Sequence, residues 1–130
     1  MHILLLFTYD VSLINWKDAG ILEREIKLYK KLYDLYGVKF TFLTFGDARD
    51  LKISIPYEFI TILPIYSVVK KKKSKLAKFL SSFLIPFQIK KIIDPPDLVK
   101  TNQLLGSWMA IIMKIFYGCP VVIRTGYNIL

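Results

Sequence analysis

The sequence predicts an α/β fold with a doubly wound parallel sheet. Two patterns lead to this prediction. Residues 3–8 (ILLLFT) form a continuous apolar run, as expected of a strand buried on both faces of a parallel sheet. A strand, an apolar helix and a second strand follow one another between Asp97 and Arg124, and such a unit normally gives parallel strands with a right-handed crossover. The 130 residues suffice for one domain with a hydrophobic core.

The first predicted helix follows a loop at the carboxyl edge of the sheet. We expect that loop at Tyr9–Ala19 and the helix from Gly20 to about Tyr36, with Gly37 ending it. Free N–H groups at the start of the helix favour an anion, whereas the alternative is that Gly20 only permits a tight turn. Apolar residues recur at helical spacing, namely Leu22, Ile26, Tyr29, Tyr33 and Tyr36.

The remaining elements are predicted from apolar runs and from the prolines and glycines between them. Pro86 kinks or splits a long helical segment, and Gly118 ends the last helix before Pro120. The predicted elements are a strand at Val38–Phe45, a polar turn at Gly46–Ile53, a strand at Phe59–Tyr66, a helical segment at Leu76–Ile93, a strand at Asp97–Thr101, a helix at Leu104–Tyr117 and a strand at Val121–Arg124.

The net charge of +9 comes from one lysine-rich segment. Removing its eight lysines from the 19 basic residues leaves 11 basic against 10 acidic residues. No acidic residue interrupts the segment, and hydrophobic residues make up 54% of the chain, which suggests surface that another domain, a partner or a membrane covers. The eight are Lys70, Lys71, Lys72, Lys73, Lys75, Lys78, Lys90 and Lys91.

Three interpretations of the segment Lys70–Lys91 stay open. It is a core-facing helix with a solvated lysine face, a contact with an anionic membrane surface, or a nucleic-acid contact. Lysines beside bulky apolar residues suit the headgroup boundary of a membrane. No helix-turn-helix, RNA-recognition or zinc pattern accompanies the lysines, so we expect no nucleic-acid partner.

Familiar catalytic and cofactor patterns do not occur in the sequence. The single histidine, His2, starts the first strand and should lie at the wrong edge of the sheet, so we expect no metal site and no catalytic triad. Neither a P-loop nor a GxGxxG motif occurs, and no cofactor is predicted. Cys119 should be a buried thiol. We find no convincing signal peptide and no run of about 18 apolar residues, so we expect a cytoplasmic protein.

Polar residues cluster where the predicted strands end, and ligands bind at the carboxyl ends of parallel strands. These side chains can orient hydroxyl groups and phosphates by hydrogen bonding. Trp16, Trp108 and Tyr127 offer flat faces for a sugar, although aromatic residues serve more often in the core. The candidate substrate-binding residues are Asp10, Asn15, Trp16, Lys17, Gln103, Arg124 and Tyr127, with Asn102 beside them.

Several motifs, taken in order, resemble the N-terminal domain of GT-B glycosyltransferases, and most closely the large retaining group called family 4. The first is Ala19–Glu25 (AGILERE), followed by the helix, Gly37 and the strand VKFTFLTFGD. The others are Asp97–Gln103 (DLVKTNQ), Gly118–Val122 (GCPVV) and Arg124–Tyr127 (RTGY). The pattern covers nearly the whole chain.

The resemblance implies an N-terminal, acceptor-binding, Rossmann-like domain. In that family the glycine-containing loop after the first strand faces the diphosphate of the nucleotide-sugar donor. Gly20 matches that glycine, while Ala19 replaces a preceding glycine usual in the family. Many members carry a histidine near the reacting sugar where this chain has Asn102. Asparagine cannot act as a general base, so the resemblance leaves Asn102 a hydrogen bond to the sugar. Arg124 lies where family members turn toward the cleft.

Two functional hypotheses follow. In the first, residues 1–130 are the acceptor-side lobe of a glycosyltransferase that moves a sugar from a nucleotide-sugar donor to a saccharide or lipid-linked acceptor. The C-terminal nucleotide-sugar lobe is missing from these residues, so we expect the chain to be inactive alone, and that lobe to be supplied in cis or as a subunit. In the second, the chain is a non-catalytic α/β module that docks on an anionic membrane or a partner protein through Lys70–Lys91.

Overall fold

The computed structural model describes residues 1–124 and contains a five-stranded, all-parallel sheet. The strands are β1 (His2–Leu6), β2 (Lys39–Thr44), β3 (Ile60–Pro64), β4 (Leu98–Thr101) and β5 (Val121–Val122), in the order β3-β2-β1-β4-β5. The helices are α1 (Leu13–Asp18), α2 (Leu22–Tyr36), α3 (Lys75–Ser81), α4 (Ile85–Ile89) and α5 (Ser107–Tyr117), with short 3-10 helices at Ala48–Lys52 and Ile65–Ser67. The predicted Rossmann-like α/β fold is confirmed.

Aromatic packing joins α1 and α2 to one face of the sheet. Trp16 of α1 stacks on Phe7 with ring centroids 4.1 Å apart. Tyr29 of α2 lies against Phe40 and Phe42 of β2, at 4.8 and 5.4 Å. These rings are almost fully buried, so the apolar stripe of α2 is what fixes the helix on the sheet.

The other helices pack around α5, which contacts β4 and α4. Met109, Ala110 and Met113 are fully buried on the inner side of α5. The central strand β1 (HILLL) is buried after its first residue, as the continuous apolar run predicts for a strand covered on both faces.

Helix α1 replaces part of the predicted loop at Tyr9–Ala19, which is a correction. Ser12 caps the helix through a reciprocal capping box with Asn15, and Leu13 and Trp16 turn into the core. The helix has only six residues, too few for a periodic pattern to be recognised in the sequence. Tertiary burial of two apolar side chains therefore stabilises a helix that the sequence pattern alone leaves undecided.

The predicted segment Leu76–Ile93 divides into α3 and α4, as Pro86 suggested. Pro86 lies in the first turn of α4, where a missing N–H costs no hydrogen bond. The last helix begins three residues later than predicted, after Gly106 at a φ of 97°. The final strand ends at Val122, two residues earlier than predicted. Along the part of the chain that is described, no helix combines the length and apolarity needed to cross a bilayer.

Candidate binding site at the carboxyl edge of the sheet

The strand order places a topological switch point between β1 and β4. Strands β2 and β3 lie on one side of β1, and β4 and β5 lie on the other. Leu6 is level with Thr101, so the loops after β1 and β4 leave the sheet side by side. Open α/β sheets bind ligands in the crevice beyond the strand ends at such a point. The side chains at this edge are therefore the first candidates for a binding site.

Asn102 is the first residue beyond β4 at the switch point. Its backbone N–H donates to the Leu6 carbonyl at 2.9 Å, which fixes it beside the end of β1. The side chain is 7% exposed, and its amide oxygen Oδ1 is buried without a hydrogen-bond partner among residues 1–124. Because an unpaired buried amide costs free energy, a group that donates to this oxygen would be favourable there.

Arg124 is held next to the end of β4. Its backbone N–H donates to Thr101 Oγ1 at 3.1 Å. Its guanidinium Nη1 lies 3.7 Å from Oε1 of Glu25, whose side chain is almost buried on α2. The pair connects the first turns of α2 to the β4–β5 edge and leaves part of the guanidinium exposed to a ligand.

Lys100 and Tyr29 lie near the Glu25–Arg124 pair on the α2 face of the sheet, and we call these four residues together with Asn102 the switch-point cluster. The Lys100 ammonium lies 5.9 Å from the Tyr29 ring centroid. Burial, reinforced by the nearby Arg124 charge, lowers the pKa of Lys100, while Glu25 acts in the opposite direction. Burial raises the pKa of Tyr29, whose hydroxyl is buried without a described partner. Around Glu25 and Tyr29 of α2 the structure thus brings together a carboxylate, an ammonium and a guanidinium, and Lys100 stands two residues before Asn102 in the chain. The two cationic groups suit anions, and the Asn102 amide suits hydroxyl groups.

Three members of this cluster were missed by reasoning from the sequence. Glu25 falls between Leu22 and Tyr29 on the apolar stripe of α2, and a charged residue at such a position is a signal of a buried ion pair. Lys100 similarly interrupts the apolar strand β4. Tyr29 was assigned only to the core, and nothing in the sequence distinguishes its hydroxyl.

Asp10 and Asn15 lie in a separate polar cleft of about 230 Å³ at the same edge. Asp10 has a left-handed backbone, φ 65°, and its carboxylate accepts from Lys78 Nζ at 2.9 and 3.1 Å. The Asn15 side chain accepts from the Ser12 N–H and hydroxyl within the capping box. Both predicted residues therefore carry structural contacts as well as facing the cleft, which Arg49 and Lys71 also line.

Lys17 and Gly20 border a larger groove of about 650 Å³ between α2 and residues 53–57. Gly20 has a φ of 74° and ends α1, with its N–H donating to the Lys17 carbonyl at 3.1 Å. A Cβ at Gly20 would meet no atom within 4 Å. The positive φ of the turn is thus sufficient to explain why position 20 is a glycine. The groove beside it is open to a ligand.

The other predicted residues lie in different surroundings. The Trp16 ring is 2% exposed and stacked on Phe7, so it cannot offer a free face to a sugar; burial in the core corrects that interpretation. Gln103 follows Asn102 and is half-buried. Tyr127 lies outside the described residues. His2 starts β1 at the opposite edge, where Nε2 is 2.7 Å from Thr41 Oγ1, and Cys119 is buried, as predicted.

The structure therefore distributes the predicted cluster over three places: Asn102 and Arg124 near the switch point, Asp10 and Asn15 in the cleft, and Lys17 and Gly20 in the groove. Within residues 1–124, no group of three His, Cys, Asp or Glu side chains is arranged to hold a metal ion. A comparison of the sequence with protein-family models and with curated proteins finds no match.

Proposed function

We propose that this chain is the acceptor-side domain of a GT-B-like glycosyltransferase. It would help to transfer a sugar from a nucleotide-sugar donor to a saccharide or lipid-linked acceptor. The observation that carries the proposal is Asn102, whose buried amide oxygen lacks a described partner at the switch point of a Rossmann-like sheet. Sugars present many hydroxyl donors, which are the groups that such an oxygen accepts.

Five residues have roles in this proposal. Asn102 orients a sugar hydroxyl, while Lys100, two residues before it, and Arg124, whose N–H donates to Thr101, supply positive charge at the same strand ends. Gly20 and Lys17 line the groove near the first turn of α2, where backbone N–H groups and a lysine suit the donor diphosphate. The nucleotide-sugar is a substrate, and no further cofactor is invoked.

A second lobe completes the proposed site. The charge that develops on the transferred sugar would be stabilised across a cleft between this domain and a nucleotide-sugar lobe, supplied in cis or by another subunit. We place the enzyme in the cytoplasm, peripheral to the membrane.

The simplest variant, Gly20→Val, does not test the proposal cleanly. A valine side chain would obstruct the diphosphate, but the φ of 74° also strains any β-branched residue at this position, so a loss of transfer would not separate the two effects. Asn102→Ala is the better variant, because it removes an amide that has no partner for its oxygen.

The test is a sugar-transfer assay over a panel of UDP- and GDP-sugars, with this chain alone and together with the next segment of its gene or operon. We expect transfer only from the combination, and a loss of about 10- to 100-fold in Asn102→Ala, as for the removal of one positioned hydrogen bond.

Cys119→Ala is the matched control, since it also shortens a small buried side chain but precedes β5 at the opposite edge of the sheet. It should retain wild-type transfer. Thermal unfolding of both variants checks that each is folded. If neither the chain nor the combination binds or transfers any donor sugar, the proposal is wrong.

The second candidate function is a non-catalytic module that docks through Lys70–Lys91. The observation in its favour is that seven of the eight lysines in this segment are exposed. Vesicle binding without any effect of donor or acceptor sugars would select this candidate over the transferase.

A further inference from the structure

One outer surface of the molecule exposes large apolar side chains that no other described element covers. We call it the α3–α5 face. Its four most exposed apolar side chains on α3, α4 and the turn between them are between 56% and 68% exposed. Isolated exposed apolar residues are common, but a group of this kind marks an interaction surface. The residues are Leu76, Leu80, Leu84 and Phe87, joined by Ile111 and Ile115 on α5.

An aromatic layer holds this face in place. Trp108 of α5 stacks on Phe83 with centroids 5.7 Å apart and meets Phe79 edge-on at 5.3 Å. Its indole Nε1–H donates to Ser82 Oγ at 3.0 Å. Phe87 lies 5.5 Å from Phe116. The exposed side chains are thus presented from a packed base, and displaying them requires no local unfolding.

Positive charge borders the apolar residues. Lys70–Lys73 and Lys75 are all exposed immediately before or at the start of α3, and Lys90 and Lys91 are exposed after α4. Lys78 is not one of these exposed lysines, because its side chain is 16% exposed and paired with Asp10. Acidic residues lie near the ends of this segment: Asp94 is exposed three residues after Lys91, and Asp10 and Asp47 line the same cleft as Lys71.

We propose that the α3–α5 face docks on the surface of an anionic lipid bilayer. In this arrangement the leucines and phenylalanines enter the headgroup boundary, and the seven exposed lysines contact lipid phosphates. The charge selects the partner: the seven exposed lysines outnumber the acidic residues near them, and such a positively charged border matches an anionic surface. A nucleic acid would use the lysines and leave the apolar side chains in water, whereas a bilayer uses both.

Docking in this way brings the carboxyl edge of the sheet close to the membrane. Lys78 of α3 pairs with Asp10 in the loop after β1, and Trp108 lies 5.5 Å from Tyr9 in the same loop. The proposal rests on the α3–α5 face alone, so it holds whether or not the chain belongs to a glycosyltransferase.

The test is co-sedimentation of the chain with vesicles of phosphatidylcholine, with and without one quarter phosphatidylglycerol. We expect binding to the anionic vesicles, and a partition coefficient at least about 1,000-fold lower on neutral vesicles and strongly reduced in 0.5 M NaCl. Two variants separate the contributions, K70Q/K71Q/K72Q/K73Q for charge and L80S/L84S for apolar insertion. On anionic vesicles the charge variant should lower the partition coefficient by about 100-fold or more, and the apolar variant by about tenfold.

The matched control variants remove lysines and a leucine outside the α3–α5 face. K27Q/K31Q/K39Q/K52Q deletes four exposed lysines outside the face, and Leu35→Ser shortens an exposed leucine of α2. Both controls should bind as the wild type does, and circular dichroism verifies the fold of every variant. The proposal is overturned by folded protein that binds neither vesicle, by losses that are equal in variants and controls, or by a dimer that protects the face and excludes vesicles.

Discussion

Asp50 shows how a single buried carboxylate organises the edge of the sheet. It is fully buried and accepts hydrogen bonds from the Leu13 and Ile14 N–H groups at 3.0 and 3.2 Å, and from Thr44 Oγ1 at 2.6 Å. It thereby satisfies two of the free N–H groups at the start of α1. A Cβ at Gly46 would collide with this carboxylate, which explains the glycine there.

We predict that Asp50→Ala lowers the free energy of unfolding by about 3 kcal/mol, because a buried hydroxyl and two N–H groups lose a charged acceptor. Urea unfolding followed by circular dichroism measures the loss. Asp18→Ala, an exposed aspartate on the helix that Asp50 caps, is the control and should stay within about 0.5 kcal/mol of wild type. Equal stability of the two variants would show that the hydrogen bonds of Asp50 to the start of α1 do not stabilise the fold.

At the scale of elements, the start of α5 is fixed to the loop after β1. The Tyr9 N–H donates to the Leu105 carbonyl at 3.1 Å, and Gly106 has a φ of 97°. A Cβ at Gly106 would lie 3.1 Å from the Tyr9 backbone nitrogen. Both the conformation and the space therefore require glycine, and this contact draws the ends of β1 and β4 together at the switch point.

We predict that Gly106→Ala destabilises the protein by about 2–3 kcal/mol, through backbone strain and displacement of the Tyr9 loop. Gly118→Ala is the matched variant, since Gly118 also has a positive φ, 64°, but a Cβ there meets no atom within 4 Å. It should cost about 1 kcal/mol from backbone strain alone. Thermal unfolding compares the two, and a Gly118 variant as unstable as the Gly106 variant would contradict the role of the Tyr9 contact.

At the scale of the whole molecule, buried tyrosines link stability to alkaline pH. Burial raises the pKa of Tyr66 to about 12, with Asp10 and Tyr9 adding to the effect. It also raises the pKa values of Tyr9, Tyr29 and Tyr117. The unfolded chain releases these protons near pH 10, before the folded protein does. The protonated tyrosines therefore contribute fully to the free energy of unfolding below pH 10, and this contribution is lost as the pH rises above 10. Lys100, with its lowered pKa, acts in the opposite direction.

We predict that the urea concentration at the unfolding midpoint decreases as the pH rises from 10 to 12. Tyr66→Phe should reduce this decrease, because it removes one of the four tyrosines whose pKa is raised. The measurement is urea unfolding at intervals of half a pH unit. Tyr36→Phe alters an exposed tyrosine and should leave the wild-type profile unchanged. A fall of the same size in Tyr66→Phe would rule out the Tyr66 contribution.

The sequence by itself determined the α/β class, the order of the five strands along the chain and the position of α2. These follow from local signals: the apolar run of β1, the helical spacing from Leu22 to Tyr36, and the prolines and glycines between elements. It also predicted that Asn102 and Arg124 lie at strand ends, because residues after parallel strands share one edge of the sheet.

Only the tertiary structure decided which of these residues lie together. The hydrogen bonds from Asp50 to the start of α1 join residues 36 and 37 positions apart, and the Glu25–Arg124 pair joins residues 99 positions apart. Local sequence patterns carry no information about such contacts. Trp16 and Lys78 illustrate the same limit. Trp16 is buried against Phe7 and offers no free face to a sugar, and Lys78 is paired with Asp10 and does not join the exposed lysines. The physical reason is that burial is settled by packing of the whole chain, whereas propensity and periodicity are local.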